Sequence, residues 1–311
     1  MFNLKWKHLG LTVVLLLSLL LAACGSNDED AGNGNDDGDD NEVTESVSEQ
    51  LDYTITGIEP GSGVVGSAEE ATEVYDSLAG WEVATSSSGA MATALSEAIA
   101  NEEPIIVTGW TPHWKFAKFD LKYLDDPEKV FGDEEVIKTM VREGLEDEKP
   151  NAYKVLDQFN WTAADMESVM LEIQNGADEA EAAQNWIDNN QDKVAEWTEG
   201  VEDVDGVKVE LVYVLWDSEI ASTNVVAKVL ESKGFDVTIT SVENAAMWES
   251  VATGNTDGMV AAWLPGTHGD LYAQFQDDLV DLGENLTGAK IGLVVPSYMD
   301  VDSIEDLQPN E

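Results

Sequence analysis

The sequence predicts an α/β chain folded as two lobes with a ligand cleft between them, and three observations carry that expectation. Strand-like and helix-like segments alternate from about residue 51 onward, the order that βαβ units produce. The same order returns in the second half of the chain, where Ala246-Met247 answers Ala90-Met91 and Trp263-Leu264-Pro265 answers Trp110-Thr111-Pro112. The chain has 311 residues, 43% of them hydrophobic, which is enough to give each lobe its own core.

The segments before the folded part read differently. Residues 1–23 have the make-up of an export signal, with Lys5 and Lys7 ahead of the apolar run Leu9–Leu21. That run is shorter than the roughly 20 residues a membrane span needs. It ends in Leu21-Ala22-Ala23-Cys24, which resembles the lipobox of bacterial lipoproteins. The resemblance implies cleavage before Cys24, a diacylglycerol on its sulfur and attachment to the outer face of the cell membrane. Residues 24–50 are acidic, lack any basic residue and hold little that is large and apolar, so a disordered tether is expected. Asn33-x-Asn35-x-Asp37-Gly38 has part of a calcium-loop spacing, but Thr44 stands where a bidentate Glu is needed, and the stretch reads as linker.

The folded part, 51–311, is then read in order. Tyr53, Ile55 and Ile58 suggest a strand closed by Glu59-Pro60-Gly61-Ser62-Gly63, followed by a helix to about Tyr75 and a strand at Trp81–Ala84. A helix over about Ala90–Ala100 and the strand Ile105-Ile106-Val107 complete a first core, about 51–115. Strands at Val207–Leu215, Phe235–Thr240 and Met259–Ala262, with helices at Ser222–Ser232 and Ala245–Ala252, make a second, about 205–265. Both are expected to be parallel sheets. Between them, about 133–200, apolar residues fall at helical spacing (Val136, Ile137, Met140, Val141; then Met166, Val169, Met170, Ile173), so outer helices are expected, with Trp186 and Trp197 in their core. Residues from about 270 to 311 form a C-terminal crossover.

Charge and composition remove several function classes. With 63 acidic and 15 basic side chains the formal charge is −48, which repels nucleic acid. Arg142 is the only arginine, so anion sites built on a guanidinium fork are nearly excluded. Cys24 is the only cysteine, and beyond the signal His113 and His268 are the only histidines. No disulfide, zinc site or other metal centre is expected, and no cofactor. There is no G-x-S-x-G elbow, and Gly283-Glu-Asn-Leu-Thr-Gly288-Ala289-Lys290 misses the phosphate-loop spacing by one residue. A secreted hydrolase working through paired carboxylates has no spacing that selects a pair, and the chain is not read as an enzyme.

Ligands of parallel α/β sheets sit beyond the carboxyl ends of the strands. Those ends carry Gly61-Ser62-Gly63, Trp110, Trp216 and Trp263, with His268 five residues further on. Tryptophans there serve either as caps on the core or as a cage. An indole face attracts a cation within about 6 Å, and a quaternary ammonium, which makes no hydrogen bonds, suits several such faces at once. Trp114, Trp161 and Trp248 lack that placement and read as core. The turn from Glu59 to Val64 points helix-head amides at the cleft, and His268 adds an N–H donor. Together these describe a zwitterion, cationic at one end and a carboxylate at the other.

Four blocks then carry a resemblance: Gly57-Ile-Glu-Pro-Gly-Ser-Gly63, Val107-Thr-Gly-Trp-Thr-Pro-His-Trp114, Trp216-Asp-Ser-Glu-Ile-Ala-Ser-Thr-Asn224 and Ala262-Trp-Leu-Pro-Gly-Thr-His268, with Gly292–Tyr298 matching as well. They resemble the glycine-betaine-binding lipoproteins of OpuA-type ABC importers, in the same order from about Leu51 to Leu307. The resemblance implies a type II periplasmic-binding-protein-like fold and an extracytoplasmic receptor that passes glycine betaine or related compatible solutes to a permease and its ATPase subunits. It assigns the ammonium cage to Trp110, Trp216 and Trp263, and the carboxylate to His268 and the backbone amides of Gly63 and Val64. A relative has isoleucine at the position of Val64, of little consequence where only the backbone is used. A sugar-binding lipoprotein that stacks pyranose rings on tryptophan is the alternative, though it leaves Gly63 and His268 without a carboxylate to hold. The family pattern is far less acidic than this chain. At molar salt the Debye length falls to about 3 Å, so a protein facing brine tolerates such a charge, and a salt-loving bacterium is the expected source.

Overall fold

The repeat is realised as two sheets that share one long strand. A computed structural model describes residues 45–310; the export signal, Cys24, the calcium-like stretch and most of the expected tether lie outside them. The end of that tether is corrected. Val47–Gln50 is a short helix (α1) with a Ser46/Glu49 capping box, and the buried Ser48 hydroxyl accepts the Gln308 N–H at 2.8 Å.

The first lobe contains β1 (Thr54–Thr56), α2 (Gly63–Val74), β2 (Glu82–Ala84), α3 (Ser88–Asn101), β3 (Val107–Thr111), α4 (Trp114–Lys118) and β4 (Leu121–Tyr123). Strand β1 runs parallel to both β2 and β3. Helix α2 turns Val64, Val65, Ala68 and Ala71 inward, and α3 turns Met91, Ala92, Leu95 and Ala98. Both are helical stripes facing the sheet. The expected Ile105–Val107 strand begins two residues later, so Trp110 lies within β3.

The second lobe opens with β5 (Glu135–Arg142), then α5 (Leu145–Glu148), α6 (Pro150–Gln158), α7 (Ala163–Gln174), α8 (Glu179–Asn189) and α9 (Gln191–Trp197). It continues through β6 (Lys208–Tyr213), α10 (Asp217–Ser232), β7 (Asp236–Ser241), α11 (Asn244–Ala252), β8 (Gly258–Leu264), α12 (Gly269–Phe275) and β9 (Leu279–Pro296). The helical expectation for Val136–Val141 fails, because this segment is β5. Its spacing imitates a helix because a bulge between Lys138 and Met140 breaks the alternation that would mark a strand. The β-branched Val136, Ile137, Thr139 and Val141 were the overlooked strand signal. The outer helices do pack as expected, with Trp161, Trp186, Trp197 and Phe159 in one aromatic cluster.

Strand β9 also corrects the picture of purely parallel lobes. Its first part, Leu279–Ala289, runs antiparallel to β5, and Lys290–Val294 runs antiparallel to β3. The order is therefore β2-β1-β3-β9-β5-β8-β6-β7, with β4 on β9. The chain passes between lobes after β4 and again inside β9. Residues beyond β9 return to the first lobe, where Trp81 Nε1 donates to the Gln308 carbonyl at 2.8 Å. Arg142 has a structural role: its Nε donates to Asp257, which also takes Lys149. Among the described residues, no helix is long and apolar enough to cross a membrane.

Candidate functional site

Strand ends from both lobes meet around a pocket with about 340 Å³ of empty space, part of it open to solvent. The first lobe supplies Ile58, Ser62, Gly63, Val64, Trp110 and Ile291; the second supplies Trp216, Ser218, Trp263 and Thr267. All three predicted cage tryptophans and both predicted amide donors therefore line one space. No acidic or basic side chain is among the lining residues. A hydrated metal ion or a primary ammonium would lose its hydration there without a counter-charge, whereas a methylated ammonium has fewer hydrogen bonds to lose.

Trp110 lies near the end of β3, and Trp263 near the end of β8. Trp216 is the residue immediately before α10. Its Nε1 donates across the cleft to Glu59 Oε2 at 3.1 Å, while Glu59 Oε1 accepts the Ser88 N–H at 3.0 Å. On its other side the indole lies nearly parallel to the His268 ring, with centroids 6.1 Å apart.

The head of α2 has no side-chain cap. Ser62 precedes the helix but does not cap it, because its hydroxyl donates to the Glu59 carbonyl at 2.9 Å. The amides of Gly63 and Val64 have no intrahelical acceptor, and the helix dipole adds partial positive charge. Glycine is required at the first of these: a methyl there would run into the Thr267 carbonyl oxygen and lie 2.8 Å from Thr267 Cγ2.

His268 is fully buried against Trp216 and Trp263 and is not itself among the pocket-lining residues. Its Nδ1 accepts the Trp263 N–H at 3.0 Å, so the ring proton is assigned to Nε2. Nε2 has no hydrogen-bond partner among the described residues. Burial pushes the imidazole down to about 3, which makes it a neutral N–H donor at physiological pH. Trp248, expected as core, is wholly buried and also walls His268 in, edge to face at 5.6 Å.

Four supporting residues escaped the sequence reading. Glu135 is buried, and its Oε1 accepts the N–H groups of Gly266 and Thr267, each at 2.7 Å, while Oε2 takes the Thr267 hydroxyl. It thereby holds the loop that presents His268. Asp217, next to Trp216, accepts Trp114 Nε1 at 3.0 Å and the Ser88 hydroxyl at 3.1 Å, both from the first lobe. His113 Nε2 approaches the same carboxylate at 3.3 Å. Burial works against the Asp217 charge, but the contacts with His113, Trp114 and Ser88 outweigh it and hold the carboxyl down to about 2. Lys115, two residues after His113, has its Nζ 4.2 Å from the centroid of the Trp110 ring. Only adjacency to the predicted cage motifs marked Asp217 and Lys115; nothing local marked Glu59 as a partner across the cleft or Glu135 as the anchor of the Gly266–Thr267 turn.

Among the described residues no group of three or more His, Cys, Asp or Glu is arranged to hold a metal. Comparison with known proteins adds the following. The family model OpuAC, described as the substrate binding domain of ABC-type glycine betaine transport system, matches residues 35–189 and 207–311. The glycine betaine/carnitine transport binding protein GbuC of Listeria monocytogenes serotype 1/2a (strain 10403S) is 50% identical over 307 residues, 98% of this chain and 99% of that protein. Among solved structures, lactococcal OpuAC in its closed-liganded conformation with glycine betaine is 49% identical, with a TM-score of 0.45 over 50% of this chain and 61% of that one. An ABC-transporter choline binding protein in complex with choline is 30% identical, with a TM-score of 0.42 over 50% of this chain and 55% of that one.

Proposed function

The chain belongs to the OpuAC family of ABC-transport substrate-binding domains, and from that premise we propose that it is an extracytoplasmic, lipid-anchored receptor for glycine betaine and related quaternary-ammonium solutes. The trimethylammonium group sits among Trp110, Trp216 and Trp263. The carboxylate takes hydrogen bonds from the amides of Gly63 and Val64 and from His268 Nε2–H. Loaded receptor then docks on a membrane permease driven by ATPase subunits, and a lipid on Cys24 keeps it at the membrane.

One observation carries this reading: a buried, unpartnered imidazole N–H stands beside a pocket walled by three indoles and an uncapped helix head. Leaving such a donor unsatisfied costs about 1–3 kcal/mol, which an arriving carboxylate recovers. Net charge does not oppose it, since a zwitterion crosses the negative field around the protein without net repulsion.

Tryptophan fluorescence during titration tests the reading. Glycine betaine shifts the emission, choline, which lacks the carboxylate, acts weakly, and Trp216→Ala or Trp263→Ala abolishes the response. Normal betaine binding by either variant would refute the cage. The acid excess further supports a halophilic source: thermal unfolding should occur at clearly higher temperature in molar salt than in dilute buffer, and equal stability in both removes that idea. Retention of Cys24→Ala in the membrane fraction would remove the lipid anchor.

A further inference from the structure

Trp110 is shared between the pocket and a buried lysine. It lines the pocket, yet Lys115, which does not, has its Nζ 4.2 Å from the ring centroid. The Phe116 ring is 5.7 Å from the same nitrogen. Lys115 is completely buried, and its Nζ has no hydrogen-bond partner among the described residues. Its chain lies against the bare backbone of Gly109, where an added methyl would stand 3.5 Å from Lys115 Cε. The ammonium thus draws on an indole that also lines the pocket.

We propose that Lys115 sets the affinity of the cleft for its cation: as an ammonium it draws on the Trp110 ring and repels the ligand's charge, and as a neutral amine it leaves that ring to the ligand. This deepens the betaine reading and rests on it. A ligand ammonium within about 6 Å of the same ring would stand no more than about 10 Å from Lys115 Nζ. In a buried setting that repulsion, partly offset by the attraction of the same ammonium for the ligand's carboxylate, weakens binding by about three- to tenfold.

The switch falls in an accessible range. Burial pushes Lys115 down to about 7, with the Asp217 charge pulling the other way. Other titratable groups face this region. His113, on the same turn, is pushed down to about 4 by burial and then by Lys115, so it stays neutral near neutral pH. Asp217 at the head of α10 stays ionised. Glu167 of α7 is raised by burial, and Tyr123 of β4, which carries Lys290 Nζ over its ring, is raised by burial too. Glu219 of α10, raised by burial to about 8, titrates in the same window, but it is not among the pocket-lining residues and its carboxylate accepts the Val214 N–H.

Calorimetric titration of the full-length protein with glycine betaine from about pH 6 to about pH 9 tests the proposal, with an expected rise in affinity of about three- to tenfold centred near Lys115's own titration. Protons should be released on binding near neutral pH, read from the dependence of the heat on buffer ionisation enthalpy. Lys115→Met should bind tightly at every pH without proton release. Glu219→Gln should keep the wild-type profile. A flat wild-type profile overturns the proposal, as does a Glu219→Gln variant that loses the slope or a Lys115→Met variant that keeps it. Betaine binding at the upper end of the range, whatever the slope, leaves the binding function itself standing.

Discussion

The two copies of the strand-end motif make the same local device and use it for different ends. In each, a buried strand runs into a tryptophan, then a cis X–Pro bond, then a histidine whose Nδ1 accepts a backbone N–H. In the first copy His113 follows Pro112 directly; its ring meets Trp110 edge to face at 4.5 Å, and its Nε2 approaches Asp217 from the other lobe. In the second, Gly266 and Thr267 intervene before His268, and the Glu135 carboxylate accepts both of their N–H groups. The two added residues set the imidazole against Trp216 and Trp248, where its Nε2 meets no acceptor among the described residues. Burial holds both rings neutral near neutral pH. His113 Nε2 thus faces a carboxylate of the other lobe without closing a hydrogen bond of good geometry, while His268 Nε2 faces no acceptor among the described residues.

The largest test of that contrast is His268→Ala. Losing a hydrogen bond to a charged acceptor should weaken glycine betaine by about 10- to 100-fold while leaving choline affinity nearly unchanged. Calorimetry with both ligands reads it; equal losses for the two would make His268 a packing residue. Gly63→Ala comes next, because the added methyl collides with Thr267 and opposes closure of the lobes. Betaine affinity should drop by about tenfold or more, with a larger radius of gyration by solution scattering in the presence of ligand. Asp217→Asn weakens the contacts with His113, Trp114 and Ser88 without touching the pocket wall, so betaine should dissociate several-fold faster, about 3- to 10-fold, in stopped-flow fluorescence. His113→Gln should be the mildest, about threefold or less in affinity. If it equals His268→Ala, the contrast between the copies is wrong.

Much of the site was legible because its parts are local. Trp110, Trp263 and His268 belong to short motifs at strand ends, and the turn from Glu59 into α2 announces a strand giving way to a helix. Segment β5 was misread because its bulge scrambles the period on which strand reading depends. The role of β9 was invisible for a different reason: a strand's sequence does not say which two sheets it joins. Asp217 and Lys115 stood beside recognised motifs, but their value lies in what they face, and spacing along the chain carries no information about that.

By itself the sequence determined the alternating α/β order, the pair of lobes, the aromatic strand ends and the shortage of guanidinium for holding an anion. These follow from periodicity and composition, properties written residue by residue. Only the tertiary structure decided that Glu59 and Ser88 meet Trp216 and Asp217 across the cleft, that Glu135 holds the His268 loop, and that Lys115 shares the ring of Trp110. Such contacts join residues from separate elements, and their energies depend on burial and mutual orientation, which exist only once the two lobes have packed.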